Sequence, residues 1–145
     1  MNILLLVGSI LLVIAGLVHV YIFTLESLSW SKPKTWKTFG IATQADAETT
    51  KPLAYNQGWY NLFLAIGTIG GVVLGSTPRF IAVGFAIAIF AGLSMAAAAL
   101  VLITSNRRLA RAAALQGVAP LVGSILVIAS GVFANSFGWI SITQL

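Results

Sequence analysis

The sequence predicts an all-α integral membrane protein, a four-helix bundle forming a single transmembrane domain over residues 1–145. Three observations predict it. Hydrophobic residues make up 59% of the chain and charged residues 8%, against about 25% charged in soluble domains. Four runs are apolar enough to cross a hydrocarbon core about 30 Å thick, which takes about 20 helical residues. The basic residues collect between the first and second runs and between the third and fourth.

The first run, residues 3–28, has no Lys or Arg ahead of it, lacks a small-residue cleavage site and is longer than the apolar part of a secretory signal, so it reads as a retained helix. It contains the chain's one histidine, His19, and one of its three acids, Glu26. Seven residues are two helical turns, which places both on nearly one face about 10 Å apart along the axis, with Ile22 and Phe23 between them.

Residues 29–55 are the sizeable polar segment, with Trp30, Trp36 and Phe39 set among Lys32, Lys34, Lys37 and Lys51. Rings at headgroup depth beside cations that reach phosphates mark an interfacial segment. A lid or collar is expected, with a solvated linker as the alternative. Within it, Thr43 to Thr50 fits one helical turn capped by Thr43 or Asp46.

The second run, residues 59–75, starts within "YNQGWYN", Tyr55 to Asn61. Asn56 and Tyr60, and likewise Gln57 and Asn61, are four apart, so amides and hydroxyls occupy two adjacent faces. Gly67, Gly71 and Gly75 form a stripe that lets another helix approach closely. "GSTPR", Gly75 to Arg79, is a helix stop and turn, making the second and third runs antiparallel neighbours. The third run, residues 80–103, is alanine-rich and closes on Thr104, Ser105 and Asn106. The fourth, residues 112–134, carries Gln116 and Gly117, with Pro120 about one turn from its start as a mild kink.

Seven of the eight basic residues lie on two of the loops and only Arg79 lies on the third. The positive-inside rule then puts those two loops in the cytoplasm and both termini outside. Anchoring at an anionic leaflet accounts for the net charge of +5, and no nucleic-acid partner is expected. The absence of cysteine excludes disulfides, thiolate metal sites and thiol nucleophiles. There is no dinucleotide fingerprint, phosphate loop or zinc-protease motif, and one histidine cannot supply two axial haem ligands, so no cofactor or metal is expected. The halves share no polar pattern, which gives no support to an inverted-repeat transporter.

On this topology the polar groups of all four helices converge on one side. They would enclose a cavity with His19 and Asn61 at its floor, Glu26, Tyr60 and Gln116 on its walls, and Asn56 and Gln57 as further ligand contacts. The structural alternative is that these side chains hydrogen-bond helices together, each for about 0.6 kcal/mol and up to about 2, with Glu26 accepting from a loop lysine.

"LVHVYIFTLE", "TWKTFG", "NQGWYNLFLA" and "LQG" resemble the signature of a bacterial family of small four-helix membrane proteins, domain of unknown function thirteen-oh-four. The resemblance implies the fold and a multi-pass protein of the bacterial cytoplasmic membrane. It implies no activity. His19, Glu26, Asn56, Gln57, Tyr60, Asn61 and Gln116 are the positions that match its pattern.

Three functions fit. The first is binding of a lipophilic small molecule, extended to isomerase- or hydratase-type catalysis with His19 and Glu26 as an acid/base pair. The second is proton-coupled export by a homo-oligomer through Glu26. The third is a membrane scaffold or assembly subunit without chemistry, with the glycine stripe of the second run as its interface and membrane lipids around it.

Overall fold

The computed structural model describes residues 2–132. Among the described residues five α-helices run in the order α1 (Ile3–Phe23), α2 (Pro33–Thr38), α3 (Gln44–Gly75), α4 (Ile81–Ser105) and α5 (Ala110–Ala129), and a π-helical turn, Thr24–Leu28, extends α1. Four of these units, all but α2, are long and apolar enough to cross a membrane. The chain is a multi-pass membrane protein. Consecutive spans pack antiparallel in a ring, α1 against α3, α3 against α4, α4 against α5 and α5 back against α1, while α1 and α4 barely touch across the diagonal.

Burial follows the demands of lipid. Phe90 and Val73 are 75% and 65% exposed, and large side chains of this kind cover the outside. The interior is lined by small residues, among them Gly8, Ala15, Ala65, Gly71, Gly84, Ala88 and Gly123. Lipid tails are as apolar as Leu, so helices in a bilayer gain most from close backbone approach. The expected glycine stripe meets α4 in this way. A Cβ on Gly71 would stand 2.6 Å from the Ala88 nitrogen, a Cβ on Gly75 would strike the Phe85 ring, and one on Gly84 would overlap the Gly75 nitrogen. At the opposite side of the ring, Asn2 caps α1 through the Leu4 and Leu5 amides and donates to the Ser130 carbonyl at 2.9 Å, tying α1 to the end of α5.

Three boundaries differ from the sequence reading. The second span does not begin near residue 59: α3 starts at Gln44, capped by Thr43, whose hydroxyl accepts from the Asp46 amide. Its first turns are polar and exposed, so they carry helix without an apolar signal, and Pro52 removes only one donor from a stretch where water can reach the freed Glu48 carbonyl. The long loop therefore shrinks to residues 29–43. The last span starts at Ala110, so Pro120 lies in mid-helix, not one turn from the start. That span ends at Ala129, where Gly131, at φ +70°, takes the left-handed conformation that closes helices. The expected residues 133 and 134, and the C-terminus assigned to the outside, lie beyond the described residues.

The shortened loop is an ordered lid. Lys32 to Thr38 form a cap and short helix, and Gly40, at φ +80°, turns the chain back. Trp30 and Trp36 are buried with Ala47 and Ala54, flanked by Phe39 and Ile41, in a cluster separate from the main core. The Trp30 indole N–H donates to the Ala47 carbonyl at 2.9 Å, and the Lys37 ammonium lies 5.4 Å from the Trp36 ring centroid. Because the spans alternate in direction, the lid and the Arg107–Arg111 turn come to the same end of the bundle, and Arg79 to the other.

Candidate functional site

The lid end of the bundle holds a cavity of about 500 Å³, bounded by α1, the π-turn, α3, α4 and α5 and roofed by Thr38 and Phe39. His19, Glu26, Gln57, Asn61 and Gln116 all line it, on a wall otherwise built largely from aliphatic side chains such as Val18, Ile22, Leu102 and Leu115. Two other residues of the sequence pattern stand apart: Asn56 and Tyr60 are exposed and do not line the cavity. The buried face of α3 runs through Ala54, Gly58, Asn61, Ala65 and Thr68, and Gln57 lies one turn before Asn61. Asn56 and Tyr60 are off that stripe, so Tyr60 is not a wall of the cavity.

Glu26 reaches the cavity through the π-turn. Its i→i+5 bonds add a residue to the turn and rotate the side chains beyond it relative to a continuous α-helix. The turn is seated on Gly58, where a Cβ would overlap the Ser27 hydroxyl and approach the Glu26 Cβ to 3.1 Å. Ser27 donates across to the Tyr55 carbonyl at 2.8 Å. Glu26 is buried, and its Oε2 accepts from the Asn61 amide nitrogen at 2.8 Å. That amide also donates to the Gln57 carbonyl at 3.2 Å. The lysine partner considered for Glu26 is not the one it has: among the described residues its hydrogen bond is to Asn61, and Lys51 lies 4.0 Å from Glu48 instead. Glu26 also lines a second cavity of about 410 Å³, on the lid side, with Ser27, Ser31, Lys51 and Tyr55.

His19 is 1% exposed, and its Nδ1 lies 2.9 Å from the Ala15 carbonyl oxygen. A carbonyl only accepts, so Nδ1 carries the proton. In the neutral ring Nε2 is then an acceptor, on a residue that lines the cavity. Of the two residues expected between His19 and Glu26, Ile22 does line the cavity, whereas the Phe23 ring packs edge-on against Trp59 at 5.2 Å.

Pro120 adds a feature the sequence reading missed. Proline has no N–H, so the carbonyl of Gln116, four residues earlier in α5, lacks its helical donor. Tyr21, Thr38 and Ser105 are further polar residues of the wall. Tyr21 lies inside the apolar first run and Thr38 inside the polar segment, and no spacing to another polar residue marks either one.

The family model described as "Protein of unknown function (DUF1304)" matches residues 13–128. The chain belongs to this family. The matched span begins within α1 and ends within α5, so it contains every residue of the cavity from Val18 to Gln116. No curated protein and no solved structure matches the chain.

Proposed function

We propose that this protein binds a lipophilic small molecule in the lid-end cavity, with its polar head at Glu26, Asn61 and His19 and its apolar body against the aliphatic wall. The cavity itself carries the reading: about 500 Å³ is within the range of small-molecule sites, and its walls are apolar with a few convergent polar groups. Intramembrane ionisable residues are functional candidates by default, and here two of them share one cavity.

The same pair supports acid/base chemistry. A ring with a free Nε2 can take a proton from a ligand carbon or hydroxyl while a carboxyl group returns one elsewhere, which is the proton balance of an isomerisation. No redox partner is required for that step. The lid end faces the cytoplasm in this proposal, supported by the gathering of seven of the eight basic residues there.

Lipid extraction and mass spectrometry of the protein purified from its own membrane tests the reading. A discrete lipophile should accompany the wild type and be lost from the His19→Ala/Glu26→Gln double variant. Bulk phospholipid alone, equal in both, would refute it.

A further inference from the structure

We infer that the cavity selects lipophilic amines: molecules with an apolar chain and a protonatable nitrogen as head. The inference rests on the proposed ligand cavity and names the class of its occupant.

Charge points to an amine first. Eighteen described residues line the cavity; one of them is a carboxylic acid, Glu26, and none is Lys or Arg. The basic side chains of the lid end lie outside it. A ligand carboxylate or phosphate would therefore enter an apolar space beside Glu26 with no Lys or Arg to pair with, its charge offset only where it gives a proton to His19. A ligand amine reverses this. It can take the Glu26 proton to give ammonium and carboxylate, or leave it in place, and the total charge of cavity plus ligand is the same in both forms.

Hydrogen bonding points the same way. A primary ammonium has three donors and no acceptor. Beside the side-chain amides of Gln57 and Gln116, the cavity offers two acceptors on its ionisable residues: the Glu26 carboxyl group, whose Oε2 alone is engaged by Asn61, and His19 Nε2. Both residues line one space, and both come from the first span. An alcohol supplies a single donor and leaves the other acceptors unmatched. Tyr21 and Phe39 add two aromatic rings to the wall, side chains that a cation favours as neighbours.

Dodecylamine, dodecanol and dodecanoic acid, equal in chain length, separate head from tail. Each is titrated against the detergent-solubilised protein and its occupancy read by native mass spectrometry, for the wild type, Glu26→Gln and Leu115→Trp. The amide introduced by Glu26→Gln can still accept from Asn61, so that variant keeps the contact with α3. Leu115 lines the cavity and is 71% exposed, so an indole there can extend into the cavity without displacing the core. The amine is expected to bind at least about tenfold more tightly than the alcohol, the scale of one charge-assisted hydrogen bond. The acid should bind least, Glu26→Gln should erase the amine's advantage, and Leu115→Trp should weaken every ligand. Equal or tighter binding of the alcohol or the acid, or an amine preference that survives Glu26→Gln, overturns the amine class while leaving the cavity in place. Binding of all three that Leu115→Trp does not change overturns the cavity reading as well.

Discussion

The Asn61 side chain donates to Glu26 Oε2 across 2.8 Å, joining the π-turn at the end of the first span to the buried stripe of α3. Removing the donor leaves a buried carboxyl oxygen unmatched, which costs about 1–3 kcal/mol. Asn61→Ala should therefore destabilise more than Glu26→Gln, which keeps an acceptor for the amide. Unfolding of both variants and their double in mixed micelles checks this. The coupling between the two positions is expected at about 0.6 kcal/mol, and not above about 2.

Gly71 and Gly70 are adjacent and should respond oppositely. A Cβ on Gly71 meets the α4 backbone, whereas one on Gly70 meets nothing within 4 Å. Gly71→Ala should cost about 1–3 kcal/mol by prising α3 from α4. Gly70→Ala should be neutral or gain roughly 0.5–1 kcal/mol from lower unfolded-chain entropy. Thermal melts in one detergent compare them directly.

Gly58→Ala should damage the site before the fold, because the added methyl collides with the Ser27 hydroxyl on the π-turn. Ligand retention should fall while the helical circular dichroism signal is kept. Adding Ser27→Ala removes the colliding oxygen and should restore part of the binding, an outcome that general destabilisation would not give.

The lid depends on Trp30. Trp30→Phe keeps a ring beside Phe39 but loses the bond to the Ala47 carbonyl, at about 0.5–1.5 kcal/mol. Trp30→Ala removes the ring as well. Trypsin cleavage after Lys34 and Lys37 should accelerate modestly in the first variant and strongly in the second.

The chain has no cysteine, so single cysteines report sidedness without background. With the lid end in the cytoplasm, Ser76→Cys should react with a membrane-impermeant maleimide in intact cells and Ser31→Cys only after lysis. The reverse pattern would invert the proposed orientation.

The spans were legible because each is an apolar run bounded by charge or turn residues, and the α3–α4 contact because Gly67, Gly71 and Gly75 share a face. Asn61 and Gln57 were legible as one face of α3. Choosing that face over the one with Asn56 and Tyr60 needed the position of Glu26, which packing decides. The π-turn had no local mark: "TLESL" is compatible with ordinary helix, and its seat is Gly58, roughly thirty positions away. The helix from Gln44 was hidden because its first turns touch water on most sides and include Pro52. Pro120 lies eight residues after the expected start of the last span and ten after the observed one, so proline's missing N–H frees the Gln116 carbonyl on either bound.

A ligand cavity at His19 and Glu26 is tested most directly by photo-crosslinking in native membranes with a diazirine-bearing dodecyl amine. Adducts are expected on residues 18–26 of α1 and its π-turn, 98–105 of α4 and 109–116 at the start of α5, all suppressed by excess unlabelled amine. Adducts confined to outward positions such as Ile66 and Phe90, and unaffected by competitor, would contradict it.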